Sequence, residues 1–406
     1  MSEVYDVVIV GAGPGGSATA HYLAKQGKRV LLLDKSDFPR DKTCGDGLTP
    51  RALDVLQDMG ILNDVNKVGY QITGIDLHGR KGNMMTAVVP KHPIYPDHMV
   101  IAPRLRLDDI IRQRAVKSGA EFHSPVRVRD IVDQGDKVLV KGMLNNKQVS
   151  YTAQLVVLAV GASTKLIRDL GILTYDPKPI LAARGYYEGV SGLDDHVQAH
   201  FEEVPLPGYG WVFPISKTAA NIGIGFWESL IPWKKPPSSA RVAMEHWLAH
   251  SKKMRAMMNG AQLVGAIKGY PLRTDFATAP TYKGRIMLVG ETAGLVSPLT
   301  GEGIDFALES GKIAAGFLEE TFERGEFSGE AFKRYDQILR DHFQHLFVFL
   351  GVIRQLYVNP LLMEKAIQAT RTFPDIKEML VKIMMGQEDA ASMVNLTTFR
   401  KVLFGI

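Results

Sequence analysis

Cysteine is almost absent from this chain: one residue, Cys44, in 406. A single thiol excludes an internal disulfide and makes a cytoplasmic setting the default expectation. Charge imbalance is small as well. Against 43 Asp and Glu stand 48 Lys and Arg, a net charge of +5, and the basic residues are scattered, so nucleic acid is not an expected partner. A surface of that charge suits an anionic membrane or a phosphorylated substrate. No run of about 18 apolar residues exists, so no spanning helix is predicted. A strand begins by residue 6, which leaves no room for a signal peptide. Hydrolase motifs of the Gly-x-Ser-x-Gly or paired-carboxylate kind are missing. The eleven histidines compose no metal set. His342 and His345, and His246 and His250, could share helix faces, and His196 and His200 fall at the start of a strand. None has a clearly placed third ligand, so no metal is expected. What remains is a globular balance, 46% hydrophobic with mean hydropathy −0.02, in a length suited to two or three domains.

The most informative stretch is 6–34, DVVIVGAGPGGSATAHYLAKQGKRVLLLD. An apolar β-branched run, Val7–Val10, leads into Gly11-Ala12-Gly13-Pro14-Gly15-Gly16, then an amphipathic helix, then a second apolar run, Val30–Leu33, closed by Asp34. Strand, glycine turn, helix, strand and acid make the dinucleotide fingerprint in its required context. Gly11 permits the tight turn, Gly13 lets backbone approach a pyrophosphate, and Gly16 allows close helix–strand packing. The helix N-terminus, opening at Pro14 and Gly15, offers free N–H groups and partial positive charge to phosphates. Asp34 can accept hydrogen bonds from the adenosine ribose.

The nucleotide fold reads as discontinuous. Residues 101–120 have helical spacing, while Val138–Lys141 and Leu155–Val160 read as strands, the second ending at Gly161-Ala162-Ser163. Residues 284–318 repeat the opening logic: strand Arg285–Val289, a glycine-rich loop, and a helix from about Glu302. Between them, 180–228 holds four strand-like runs, Ala183–Gly189, Val197–Val204, Trp211–Ile215 and Ala219–Phe226. They suggest an antiparallel sheet inserted as a substrate wall. The expected fold is therefore α/β: a Rossmann-type dinucleotide-binding fold, for FAD or NAD(P), over 1–75, 101–175 and 270–324, an inserted antiparallel β-sheet substrate domain over 76–100 and 176–269, and a C-terminal helical region over 325–406. In the later glycine loop, Gly290-Glu291 closes a strand and Pro298, Gly301 and Gly303 precede the helix that takes up at Ile304. This second electropositive helix end suits the pyrimidine edge and ribityl chain of a flavin; an ordinary βα loop is the plain alternative.

Six motifs then converge: GAGPGG at 11–16, FPRDKTCGDGLTP at 38–50, RLRLDD at 104–109, VLAVGAST at 157–164, PGYGWVFP at 207–214 and GETAGLVSPLTGEGID at 290–305. In this order they resemble the FAD-dependent geranylgeranyl reductase family, and Cys-Gly-Asp-Gly-Leu-Thr-Pro with Gly-Tyr-Gly-Trp-Val-Phe-Pro is similar to its menaquinone reductase branch. The resemblance implies FAD held by the glycine motifs with Asp34 and Lys35, with Arg40 and Arg104 near the phosphates or ribityl chain, and with Cys44 and Gly45, Gly161 and Ala162, and Glu291 around it. Glu291 stands where the family usually has Asp. The implied reaction saturates a carbon–carbon double bond of a prenyl chain. Cys44 is then the candidate proton donor, with Asp46 tuning it or holding its loop. Tyr209 and Trp211 are candidate substrate-lining residues, and Phe213 reads as core packing.

The same resemblance implies a prenyl lipid substrate and an electron donor that is either NAD(P)H or a ferredoxin-type protein, since no second nucleotide fold is visible. A lipid substrate implies peripheral contact at the inner face of the membrane. The apolar run 346–353, the pairing at Trp233-Lys234-Lys235 and the terminus 399–404 suit interfacial contact and equally suit a helical cap on the core. The competing function is a flavin monooxygenase or halogenase. Trp211-Val212-Phe213-Pro214 does not reproduce the halogenase Trp-x-Trp-x-Ile-Pro pattern. A non-catalytic flavin-binding protein is the third reading.

Overall fold

A computed structural model describes residues 4–227, 237–356, 359–385 and 400–401. The central strand, Val4–Val10, lies parallel between Val30–Leu33 and Lys147–Leu158, and the sheet continues through Ile286–Leu288 on one side and Glu121–His123 on the other. Its strands are near-continuous apolar runs because helices cover them: Val7, Val8, Ile9, Leu31, Leu32 and Leu33 are fully buried. The helices Pro14–Lys25, Arg104–Lys117 and Ile304–Arg324 pack beside one another on this layer. At the carboxyl edge of the parallel strands the chain turns at Gly11, Asp34, Gly161 and Gly290, and ligands of open α/β sheets bind in that crevice. The strand expected at Leu155–Val160 starts earlier, at Lys147, because its first half pairs with the antiparallel ribbon Val126–Asp133 and Val138–Leu144.

The second sheet has seven strands in the order Gln262–Leu272, Ile180–Glu188, Ala219–Phe226, Gly208–Pro214, His196–His200, Gly74–His78 and Met84–Val88. It is antiparallel with one exception: His196–His200 runs parallel to Gly74–His78. That strand spans the 75/76 division read from the sequence, and Gln262–Leu272 spans the one at 269/270. Glycines make room for two indoles on opposite faces. A Cβ on Gly210 would lie 2.5 Å from the Trp247 ring, and one on Gly223 would lie 2.2 Å from the Trp211 ring. Trp247, from the helix Ala240–His250, closes the back face, so Trp211 is on the front.

Beyond residue 325 the described chain is helical: Gly329–Leu356, Pro360–Thr372 and Pro374–Met385. The apolar run 346–353 divides between two environments. Leu346, Phe347 and Leu350 are buried in the main core, whereas Val348 and Val352 are exposed. Met363, Ile367, Val381 and Met385 cluster with Ile75, Leu77, Met99 and Val197 of the second sheet's side. These contacts make a cap. No single described helix is long and apolar enough to cross a membrane. Trp233-Lys234-Lys235, Phe399 and 402–404 lie outside the described residues.

Candidate active site

One cavity of about 700 Å³ runs from the glycine edge of the first sheet, past the front of the second, to the C-terminal helices. At its first end Gly11 has φ +110°, and a Cβ there would lie 2.2 Å from the Ala159 carbonyl oxygen. A Cβ on Gly16 would lie 1.9 Å from the Gly11 carbonyl oxygen. Gly16 therefore packs the turn and is absent from the cavity wall, whereas Gly11, Gly13, Pro14 and Gly15 line it. The helix Pro14–Lys25 has no side-chain cap, so its N–H groups are available to an anion. Asp34 organises the turn: its carboxylate accepts from the Ala12 N–H at 2.9 Å and the Ser36 N–H at 2.9 Å. A carboxylate has lone pairs left for a ribose. Lys35 is exposed on the rim.

Arg40 and Arg104 meet at a residue outside the expected set. Asp108 is fully buried, 3.0 Å from Arg40 and joined to Arg104 by a two-pronged bond of 2.6 and 2.8 Å. It sits one turn after Arg104 in the RLRLDD motif, a spacing that pairs side chains on one helix face. Glu291 is held by Lys42 at 3.1 Å, the Tyr270 hydroxyl at 3.4 Å and the Arg273 N–H at 3.3 Å. The Tyr270 hydroxyl in turn accepts from the Ala162 N–H at 3.1 Å, so Ala162 acts behind the wall that Gly161 lines. Gly290, Glu291, Gly301, Gly303 and Ile304 line the cavity and Pro298 does not. A short 3₁₀ turn, Gly290–Ala293, occupies the start of this loop, and the helix begins at Ile304. Glu302 accepts from the Gly303 and Ile304 N–H groups at 3.1 and 3.0 Å, and burial, with the Asp305 carboxylate nearby, pushes its carboxyl well above the usual carboxylate range.

These groups fit FAD. An uncapped helix end, a glycine turn with no room for side chains and a row of polar groups along one sheet edge are what a dinucleotide requires. Asp34, Arg40, Arg104, Glu291 and the glycine loops would hold it.

Cys44 lines the cavity beside Arg104. Burial pushes the thiol up, with Arg104 pulling the other way, so the neutral thiol prevails. Asp46 is not on the wall. It is fully buried in a left-handed backbone conformation, φ +66°, and accepts from the Tyr186 hydroxyl at 2.5 Å and the Asn221 amide at 2.8 Å. Its other oxygen has no hydrogen-bond partner among the described residues, and burial pushes the carboxyl up to about 6. Asn221 ties the loop together. Its amide also donates to the Cys44 carbonyl at 2.8 Å, and its oxygen accepts from the Trp211 indole at 3.0 Å. Fully buried Arg184 reaches Asp41 at 2.6 Å and the Lys42 carbonyl at 3.3 Å. The Cys44 loop is thus clamped onto the second sheet by residues that sequence spacing does not mark. Tyr209, Trp211 and Phe213 form a row on the wall, with successive ring centres 6.2 Å apart. Phe213, read as core packing, also faces the cavity: a Cβ on Gly45 would lie 3.0 Å from its ring. The Tyr209 hydroxyl donates to the Thr300 carbonyl, joining the aromatic strand to the last glycine loop.

His196 does have acidic neighbours. Its ligand atoms and those of Asp76 and Asp194 lie within 4.8 Å of one another, away from the cavity. Asp76 there accepts from Thr86 at 2.7 Å and pairs with His196 at 3.2 Å.

Residues 4–347 match the FAD binding domain family. A menaquinone reductase of Mycolicibacterium smegmatis is 34% identical over 327 residues, 78% of this chain and 76% of that protein. A digeranylgeranylglycerophospholipid reductase of Thermoplasma acidophilum is 25% identical, covering 84% of this chain and 85% of the relative. A crystal structure from the same organism, described as geranylgeranyl bacteriochlorophyll reductase-like, superposes with a TM-score of 0.81 at 21% identity, over 99% of this chain and 96% of that one. Fold and site together define a flavoprotein oxidoreductase. The chain belongs to the FAD-binding domain family, in the branch that holds the menaquinone and digeranylgeranylglycerophospholipid reductases.

Proposed function

We propose that the enzyme saturates carbon–carbon double bonds in the prenyl chain of a lipid. The observation that carries this reading is one continuous cavity. Its glycine-lined end accepts a dinucleotide, its middle carries Cys44 opposite the Tyr209–Trp211–Phe213 row, and its far end is apolar. The glycine loops, Asp34, Arg40, Arg104 and Glu291 would hold FAD, which, once reduced by two electrons from the external donor, would supply the hydride. Cys44 keeps a proton on Sγ and gives it to the alkene carbon that does not receive hydride. Arg104, beside that sulfur, steadies the thiolate left behind. Asp46 acts through Asn221 and Tyr186 as a positioning residue for the Cys44 loop. The aromatic row lies along the chain, where ring faces suit both apolar methyl groups and a developing cation. The apolar wall excludes water.

Electrons arrive from a transiently bound NAD(P)H or a ferredoxin-type donor, and the lipid substrate brings the enzyme to a membrane surface peripherally. The test is product mass spectrometry after turnover of the FAD-loaded enzyme with geranylgeranyl lipids and menaquinones. Gain of two hydrogens per bond is expected. Gain of oxygen or halogen, or unchanged lipid, would overturn the proposal. Salt-sensitive flotation with anionic liposomes is the matching expectation for the membrane, and its absence would count against that part.

A further inference from the structure

The reaction proposed above removes the Cys44 proton once per bond, so the groups facing that sulfur matter. Arg104 from the helix Arg104–Lys117, Lys42 and Asp46 from the sulfur's own loop, and Glu302 from the last glycine loop all act on it electrostatically. The first three are engaged elsewhere. Arg104 is forked onto Asp108 at 2.6 and 2.8 Å, and Lys42 pairs with Glu291 at 3.1 Å. Asp46 lies off the cavity wall, held by Tyr186 and Asn221. Tyr209 senses both Cys44 and Glu302, but its hydroxyl proton is given to the Thr300 carbonyl. Glu302 remains. It lines the same cavity as Cys44, and both residues are half-buried there.

Glu302 is placed to hold a proton. Its Oε1 accepts the Gly303 and Ile304 N–H groups at 3.1 and 3.0 Å, bonds in which Oε2 takes no part. Asp305, itself buried, is its acidic neighbour. Two carboxylates packed together away from water do not both ionise readily. The charge settles on Asp305, because Arg51 faces it and the Thr49 hydroxyl donates to it at 3.3 Å. The proton stays on Glu302, where burial and Asp305 outweigh the two N–H groups and Arg104. We propose that Glu302 is the proton reserve of Cys44, returning a proton from Oε2 to Sγ after each bond is reduced. This rests on the prenyl-chain reading above. The alkene gains a hydride and the Cys44 proton, which leaves a thiolate. The Glu302 O–H bond then breaks, its proton goes to Sγ, and the carboxylate regains a proton from solvent. Each bond reduced thus draws one proton from solvent, and both residues end as they began. Burial raises both acids, the carboxyl from 4.5 and the thiol from 9.0, and the carboxyl remains the stronger, so the transfer runs downhill.

Because Cys44 is the single cysteine, alkylation by iodoacetamide reports its thiolate alone. The experiment measures that rate from about pH 6 to about pH 9. It compares FAD-loaded wild type with Glu302→Gln and Glu302→Asp, matched for FAD content and melting temperature. Glutamine mimics the protonated carboxyl, so wild type and Glu302→Gln should coincide at the acid end. At the alkaline end the wild-type carboxylate should hold back the thiolate, leaving Glu302→Gln roughly threefold or more faster. Quench-flow with a geranylgeranyl lipid and excess reductant then counts bonds reduced per enzyme. Wild type should reduce successive bonds at one rate. Glu302→Gln should reduce about one bond per enzyme and then slow at least about tenfold; Glu302→Asp should recover part of the later rate. Coincident alkylation profiles, a profile displaced equally at every pH, or later bonds no slower than the first would overturn the proposal. Profiles that diverge as expected while wild type reduces no bond would remove the reductase reading and keep the Cys44–Glu302 pair. Bonds reduced by wild type with coincident profiles would do the reverse.

Discussion

Asn221→Leu is the substitution that asks most of this structure. Leucine has similar bulk, so the cavity keeps its shape while three hydrogen bonds disappear: to the Cys44 carbonyl at 2.8 Å, to Asp46 at 2.8 Å and from the Trp211 indole at 3.0 Å. Asn221 is fully buried, so water cannot take its place. At about 1 kcal/mol for each neutral bond and about 2 kcal/mol for the bond to the carboxylate, the loss is about 4 kcal/mol. That is a large share of the roughly 5–15 kcal/mol that holds a domain folded. At about 2 °C per kcal/mol for a large domain, the melting point should fall by roughly 8 °C. Asp46 keeps one donor, Tyr186, and its carboxyl should move further above about 6. Thermal unfolding followed by near-UV circular dichroism measures the first effect. Steady-state reduction with FAD saturating measures the second: kcat should drop with FAD affinity nearly unchanged, because the Cys44 loop loosens while the glycine loops do not. A variant that melts within about 2 °C of wild type and turns over normally would refute the clamp.

Three further outcomes follow from the geometry. Gly16→Ala should purify without FAD or fail to fold, because its Cβ would fall 1.9 Å from the Gly11 carbonyl oxygen; the 450 nm absorbance of the purified protein reads this directly. Glu291→Asp should withdraw the carboxylate from Lys42, now 3.1 Å away, and weaken FAD about tenfold, the equivalent of one charge-assisted bond, as measured by fluorescence titration. His21 is fully buried, and burial lowers it from 6.5 to about 4. The folded state disfavours its proton, so the stability it contributes is whole above pH 6.5 and lost as pH falls toward 4, by about 3 kcal/mol in all. Asp46 has the opposite sign, since burial raises it to about 6: its contribution is whole below pH 3.8 and lost as pH rises to 6. Urea unfolding between pH 4 and 7 should show the acid-side loss shrink in His21→Gln and the loss toward pH 6 shrink in Asp46→Asn. Parallel curves for all three proteins would show that these groups do not govern it.

The parts of the site legible in the sequence are those whose chemistry is local. Gly11 to Asp34 spells out strand, turn, helix and acid within one βαβ unit, and Gly290 to Ile304 repeats the logic. The second sheet was legible as four strand-like runs. Its true extent was not, because Gly74–His78 joins it by parallel pairing to His196–His200 and carries no signal of that partner. Glu291 stood out as a departure from Asp, but Lys42 and Tyr270, which explain how its extra length is used, come from distant segments. The clamp on Cys44 is the extreme case. Asn221 meets the Cys44 carbonyl across 177 residues, and Tyr186 meets Asp46 across 140; neither residue type nor spacing announces such pairs. Asp108 was the avoidable omission, since its one-turn spacing from Arg104 was on view.

The central claim is that Cys44 supplies the proton for alkene reduction. Its most direct test is anaerobic: reduce the bound FAD of wild type and Cys44→Ala, add a geranylgeranyl lipid, and follow flavin reoxidation together with product mass. Cys44→Ala should bind and accept electrons on FAD as wild type does, yet reoxidise on the lipid at least about a hundredfold more slowly, the usual contribution of a positioned acid. Reoxidation at the wild-type rate, with a product two hydrogens heavier, would contradict the account.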